Sequence, residues 1–187
     1  MVNSITIADV KVAALLMDGV LMDDALMDKS MGSSCPCGSG QLLSACCGLL
    51  HAGQHAQSAE QLMRSRYSAY VLGNIDYVVN TTAPTQQALL DVPAITAWSA
   101  QNQWQGLTIN RVLAKAKSRH AQVEFTAAFT DTQGTQTHRE LSGFVHIDSQ
   151  WYFLDPTLEQ YPALKAACLC GSGQKFKRCC APFLGII

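Results

Sequence analysis

Apolar residues in the middle of the chain follow a helical period first and a strand period afterwards. Ser58 to Gln61 form a capping box, and Leu62, Met63, Tyr67, Tyr70 and Val71 follow at helical spacing. Three helices are predicted, from the cap at Ser58 to Gly73, from Asn74 to Val79, and onward from Asp91. We expect the third helix to carry Ile95, Trp98 and Trp104.

After Gly106 the apolar positions alternate, which indicates strands. The clearest alternation puts Val123, Phe125, Ala127 and Phe129 on one face of a strand. Four strands are predicted: Leu107 to Leu113, His120 to Thr130, Thr135 to Ile147, and Trp151 to Leu154. Helices that precede an antiparallel meander predict an α+β domain, with the helices on one face of the sheet.

Composition narrows the class of protein. Of the 187 residues, 48% are apolar and 14% are charged, and the net charge is -1. A chain so poor in charge does not suit nucleic-acid binding, which needs a basic face. No apolar run is long enough for a membrane span, and the acidic N-terminus does not resemble a signal peptide. We therefore expect a cytoplasmic protein without a membrane span.

The cysteines form an internal repeat. Both clusters read C-x-C-x8-C-C, and CPCGSGQLLSACC matches CLCGSGQKFKRCC in its Cys, Gly-Ser-Gly and Gln positions. Four thiols at fixed spacing in a reducing compartment favour a closed tetrahedral Zn2+ site in each cluster. Disulfide bonds and an iron–sulfur cluster are the alternatives that remain open. The predicted zinc ligands are Cys35, Cys37, Cys46, Cys47, Cys168, Cys170, Cys179 and Cys180.

Both segments resemble the SEC-C motif, the zinc-binding tail of the SecA translocation ATPase. The resemblance implies the same eight ligands and two zinc knuckles, each with four cysteines. Residues 161–187 carry four basic side chains and no acid, whereas residues 33–50 carry no charged side chain. By analogy with the SecA tail and the SecB chaperone, we expect the basic knuckle to meet an acidic protein surface through Lys175, Lys177 and Arg178.

The middle of the chain resembles the YchJ family in RSRYSAYVLGNIDYV, in VEFTAAF and in the two tryptophans 98 and 104. That family implies an NTF2-like cone, in which helices pack on a curved antiparallel sheet, between two SEC-C motifs. It brings no established biochemical function. The expected organisation is an N-terminal extension at 1–32, a knuckle at 33–50, the cone at 51–160 and a second knuckle at 161–187.

Two main functions remain open for this arrangement, and a zinc store or thiol sensor is a third that the closed four-ligand sites disfavour. The first is a non-catalytic zinc-binding adaptor, since no acid–base dyad is identifiable by spacing. The second is a small-molecule binder or enzyme with its site in the cone. An apolar, filled cone favours the adaptor, whereas a polar pocket with a buried carboxylate or histidine favours the second function. The candidate pocket residues are Arg66, Tyr67, Tyr70, Trp98, Trp104 and Glu124, with Arg66 as the group expected to hold an anion.

The N-terminal extension has no counterpart in the family resemblance. Its apolar residues fit an amphipathic helix, and Met31 offers an alternative start of translation. Association of copies through this segment or through the sheet is a further expectation.

Overall fold

The computed structural model describes residues 32–116, 118–158 and 160–187. The expectations for the extension up to Met31 lie outside the described residues. Five helices and four strands occur in the described part: α1 Cys47–His51, α2 Ala59–Leu72, α3 Ile75–Asn80, α4 Pro84–Gln87, α5 Val92–Gln101, β1 Gln103–Ala114, β2 His120–Asp131, β3 Gly134–Ile147 and β4 Gln150–Leu154. Short 3-10 turns occur at Leu43–Ala45, Phe176–Arg178 and Ala181–Phe183.

Local sequence signals set the main helix as predicted. The Ser58 side chain accepts a hydrogen bond from the backbone N–H of Gln61, which caps the start of α2. Gly73 ends α2 with φ of 70°, a left-handed conformation that favours glycine. Asn74 and Asp91 cap α3 and α5 in the same way as Ser58.

The four strands form one antiparallel sheet in the order β1-β2-β3-β4. Inward residues of β2 and β3 pack under α2, and their contacts with Leu62, Met63 and Tyr67 form one of the two main cores. The predicted α+β architecture, with a meander after the helices, is confirmed.

The predicted position of Trp104 was wrong. It lies on β1, because α5 ends at Gln101 and Asn102 is already extended. The Trp104 indole still reaches back to the helix, since Nε1 donates to the Ser99 carbonyl at 3.1 Å. The short helices α1 and α4 were not predicted.

The opposite face of β3 holds the C-terminal segment. Val145 and Leu154 share a buried cluster with the four C-terminal cysteines and Phe176. The C-terminal segment approaches β3 closely at Gly143, which has no side chain: a Cβ at that position would overlap the Phe183 carbonyl. In the part of the chain described above, no helix has the length and apolar character to cross a membrane.

Candidate metal centres and cone cavity

The two cysteine clusters fold alike. In each, the second half of the segment pairs back on the first: Cys35 N–H donates to the Gln41 carbonyl, and Cys168 N–H donates to the Gln174 carbonyl, both at 2.8 Å. The two glycines of each Gly-Ser-Gly, at 38, 40, 171 and 173, have φ between 71° and 76°, as the turn requires. The repeat in the sequence is therefore a repeat of structure.

The sulfur geometry fits a tetrahedral ion. All eight cysteines are free thiols, and the four sulfurs of each cluster lie within 4.8 Å of one another. Cys37 and Cys46 Sγ are 3.6 Å apart, and Cys170 and Cys179 Sγ are 3.4 Å apart. Four thiolates around Zn2+ would be about 3.8 Å apart. The residues present thus fit a four-coordinate metal that accepts sulfur ligands.

A serine hydroxyl supports one sulfur in each cluster. Ser39 Oγ lies 3.2 Å from Cys46 Sγ, and Ser172 Oγ lies 3.3 Å from Cys179 Sγ. Hydrogen bonds, first from Cys47 and also from Ser39, lower the pKa of the Cys37 thiol to about 4. Burial raises the pKa of Cys179 to about 12. A bound cation would therefore have to displace protons from some sulfurs of these clusters.

His120 is a neighbour of the C-terminal cluster that the sequence analysis missed. Its Nε2 lies 3.3 Å from Cys180 Sγ, and its ring stacks on Phe183 with centroids 4.4 Å apart. Burial and the nearby Arg119 lower the pKa of His120 to about 4, so the ring is neutral and fits a hydrogen bond to sulfur. It starts β2, about sixty positions before Cys180, and no local pattern links the two.

The N-terminal cluster attaches to α2 instead. Arg64 Nη1 donates to the Cys37 carbonyl at 3.1 Å, and Ser68 Oγ lies 4.0 Å from Cys35 Sγ. Arg64 is held in place by an ion pair with Glu60 at 2.9 Å. The two knuckles therefore contact different sides of the central domain.

A cavity of about 270 Å³ lies between the helices and the inner face of the sheet. Five of the six predicted pocket residues line it: Arg66, Tyr67, Tyr70, Trp98 and Trp104. Tyr70, Trp98 and Trp104 pack against one another with ring centroids 4.8 to 5.8 Å apart. They form an aromatic wall beside apolar residues of α2, α5 and β2.

Glu124 does not belong to this cavity. Side chains alternate along β2, so Val123 and Phe125 point inward and Glu124 points to the other face. There it forms ion pairs with Arg139 at 2.8 Å and Arg111 at 3.4 Å. The prediction that Glu124 lines the pocket is therefore corrected: its side chain lies on the outer face of the sheet.

The acidic groups of the cavity are Glu140 and Asp155. His138 Nε2 lies 2.9 Å from Glu140 Oε2, and Ser142 Oγ donates to the other carboxylate oxygen. Burial opposes ionisation of Glu140, but these two hydrogen bonds hold the pKa of its carboxyl below the usual range. Two residues on one strand face thus form a hydrogen-bonded His–Glu pair that spacing alone did not reveal. Asp155, just after β4, was also missed.

Arg66 is buried inside the cavity and not at its rim. Only 4% of the residue is exposed. Its Nη1 donates to the Val78 carbonyl at 2.6 Å and to Thr81 Oγ1 at 2.8 Å, and the guanidinium carbon lies 4.4 Å from the centre of the Phe153 ring. Burial lowers the pKa of Arg66, but an arginine stays charged in proteins.

The short helix α4 contacts both the cavity and the C-terminal knuckle. Gln86 binds both backbone groups of Asp155, accepting from its N–H at 3.0 Å and donating to its carbonyl at 2.9 Å. The preceding Thr85 donates to the Leu169 carbonyl at 3.0 Å, between two cysteines of the C-terminal cluster.

Helices over a meander, a mostly apolar cavity with a few charged groups beneath them and two clusters of four cysteines define an α+β protein of the NTF2-like class with candidate metal knuckles. The family model described as the YchJ middle NTF2-like domain matches residues 58–156, and the SEC-C motif model matches residues 165–182. The chain therefore belongs to the YchJ family of NTF2-like domains and carries a SEC-C motif.

Solved structures agree with this assignment. A crystal structure of a SEC-C motif containing protein from Psychrobacter arcticus is 43% identical with a TM-score of 0.78, and the match covers 83% of this chain and 99% of that one. A solution structure of a SEC-C motif containing protein from Rhodopseudomonas palustris is 38% identical with a TM-score of 0.60, over 66% of this chain and 96% of that one. Both names describe the motif and no activity.

Proposed function

We propose that this protein binds a small molecule in the cone and that its two zinc-loaded knuckles brace the cone. The observation that carries the proposal is the cavity: Arg66, Glu140 and Asp155 line a space of about 270 Å³ that a filled apolar core would not leave. A mostly apolar cavity with a few convergent polar groups is typical of ligand sites. It favours the second of the two functions that the sequence left open.

Filling the cavity tests this proposal. Ala127 lines the cavity, whereas its neighbour Ala128 points to the other face of β2. We expect Ala127→Leu to abolish the thermal stabilisation that a metabolite library produces in the wild type, because leucine occupies the ligand's space. Ala128→Leu is the matched control and should keep every hit. A library without a hit on the wild type, or hits that survive in Ala127→Leu, would contradict the proposal.

Zinc is the metal proposed for both clusters. Four sulfurs without an open position suit a structural Zn2+, which would supply folding free energy to knuckles that have little core of their own. The proposal implies a reducing compartment such as the cytoplasm, where thiols persist. Metal analysis of the purified protein should give about two zinc ions per chain. Iron in their place would contradict the assignment.

A protein-interaction role is the second candidate, and the basic face of the C-terminal knuckle favours it. Lys175 and Arg178 are exposed, and neither they nor Lys177 forms an ion pair with any described residue. Such a surface suits an acidic partner, for example a SecB-type chaperone. Reversal of all three charges to glutamate should abolish binding to SecB, while reversal of the exposed Lys115 and Arg119 should not. Equal binding by both variants would contradict the role.

A further inference from the structure

One edge of the Arg66 guanidinium faces the cavity without a protein acceptor. Every hydrogen bond between Arg66 and the described residues comes from Nη1, to Val78, Thr81 and Thr82. Nε and Nη2 have no acceptor among those residues. An arginine edge with two parallel donors matches the two oxygens of a carboxylate.

Asp155 presents the complementary group. It is 7% exposed, and its Oδ1 accepts from Thr157 N–H at 2.8 Å and from Thr157 Oγ1 at 2.6 Å. Its Oδ2 has no hydrogen-bond donor within the described parts of the chain. Gln86 binds the Asp155 backbone at both its N–H and its carbonyl, and Thr157 binds Oδ1, so the carboxylate is held in place.

These two charges do not neutralise each other directly. The ion pairs found among the described residues include none between Arg66 and Asp155, so their charged atoms are more than 4.0 Å apart. The other acid of the cavity, Glu140, already has both oxygens occupied by His138 and Ser142. One positive edge and one negative oxygen are therefore left without a protein partner, and both belong to residues that line the cavity, where a ligand of opposite charge can reach them.

We propose that the cone binds an α-amino acid with an apolar or aromatic side chain. Its carboxylate pairs with the free edge of Arg66, its ammonium pairs with Asp155, and its side chain lies against Trp98 and Trp104. A simple carboxylic acid would leave Asp155 unpaired, and a simple amine would leave Arg66 unpaired. This inference rests on the proposed small-molecule function and adds the charge pattern of the ligand.

Four probes with the same phenyl ring and similar length differ in which charged groups they carry. They are L-phenylalanine with both charges, 3-phenylpropionate with the carboxylate, 2-phenylethylamine with the ammonium and 3-phenylpropanamide with neither. Binding to the zinc-loaded full chain is measured by calorimetry. We expect phenylalanine to bind at least about ten-fold more tightly than each of the others, because each lacks at least one charge-assisted hydrogen bond.

Variants then assign each charge to its residue. Asp155→Asn should weaken phenylalanine about ten-fold or more and leave 3-phenylpropionate unchanged, since that probe has no ammonium group. Arg66→Lys should weaken phenylalanine and leave 2-phenylethylamine unchanged. Melting temperature and zinc content establish that each variant is folded. Arg66 also binds one backbone carbonyl and two hydroxyl oxygens, so Arg66→Lys has a structural risk that Asp155→Asn does not share. If Arg66→Lys does not fold, Asp155→Asn alone tests the charge assignment.

Equal affinity for phenylalanine and any of the other probes would overturn the amino-acid assignment. Absence of binding by all four would overturn it as well. Neither result contradicts the proposed small-molecule function itself, because the metabolite library and Ala127→Leu test that function independently.

Discussion

At the scale of single residues, two serine hydroxyls perform the same task in two clusters. Ser39 and Ser172 occupy the middle of each Gly-Ser-Gly and contact the third cysteine of their cluster. A hydroxyl that donates to a thiolate stabilises its charge and would fix its direction toward a bound metal ion. The glycines on both sides let the turn form, and the serine then supports the sulfur.

Removal of the Ser172 hydroxyl should weaken the C-terminal metal site. We expect Ser172→Ala to lower zinc affinity by roughly 10- to 100-fold, as loss of such a supporting hydrogen bond does in other zinc sites. Competition with a chromophoric chelator measures the affinity. Ser172→Thr keeps the hydroxyl and should stay near the wild type, and an unchanged affinity of Ser172→Ala would contradict the role.

His51 makes stability depend on pH. Burial lowers the pKa of His51 from its ordinary value of 6.5, and its Nε2 lies 3.0 Å from the Ser65 carbonyl. Below about pH 6.5 the unfolded chain binds a proton that the folded protein excludes, so stability is complete above that pH and is lost as the pH falls.

We expect His51→Gln to reduce this loss between about pH 7.5 and 5.5, because glutamine does not titrate and can still donate to the Ser65 carbonyl. Urea unfolding at a series of pH values measures the slope. His55→Gln, at an exposed position, is the control and should retain the wild-type slope. Equal slopes in both variants would contradict this account.

Sequence reasoning found the cysteines and missed the residues that come to them from afar. A knuckle takes its ligands from one short segment, so spacing alone reveals them. His120 reaches Cys180 only through the docking of the C-terminal segment on β2 and β3. Asp155 lines the cavity at the end of β4, where Gln86 of the distant α4 binds its backbone. Contacts between distant segments leave no periodic signal.

At the scale of elements, helices with local sequence signals were predicted, and helices without such signals were missed. The cap at Ser58 and the left-handed Gly73 are signals that a short stretch of sequence carries, so both ends of α2 were predicted. α4 has four residues, too few to show a helical period. β1 starts at Gln103, and bulges after Trp104 and Ile109 interrupt the alternation that a strand prediction needs.

The contact between β3 and the C-terminal knuckle depends on Gly143. Its conformation suits any residue, but a Cβ would overlap the Phe183 carbonyl. We expect Gly143→Ala to lower the free energy of unfolding by about 1–3 kcal/mol, as overpacking of a close contact does. Urea denaturation measures the change. Leu141→Ala, at an exposed position on the same strand face, is the control, and an equal effect of both would contradict the contact.

At the scale of the whole molecule, the two knuckles are alike in structure and different in attachment. The N-terminal one has a small core of its own, formed by its cysteines and Leu43. The C-terminal one shares its core with Val145 and Leu154 of the sheet. The sequence distinguished the two knuckles by charge alone, and their different attachment appears only in the structure, where each one docks on other elements.

Metal loss should therefore affect the cone unequally. We expect Cys179→Ser to lower the melting temperature by roughly 5–10 °C more than Cys46→Ser, because it disturbs a core that the sheet shares. Both variants remove the third cysteine of a cluster, so each is the control for the other. Circular dichroism with metal analysis measures the difference, and a larger effect of Cys46→Ser would contradict it.

Thr85 and Gln86 of α4 connect the C-terminal knuckle to the cavity. Thr85 binds the backbone between two C-terminal cysteines, and Gln86 binds the backbone of Asp155, a residue that lines the cavity. If the position of α4 depends on the C-terminal metal, the free energies of metal and ligand binding are linked, and linkage is reciprocal. Whatever factor zinc adds to the affinity for the ligand, the ligand must add to the affinity for zinc.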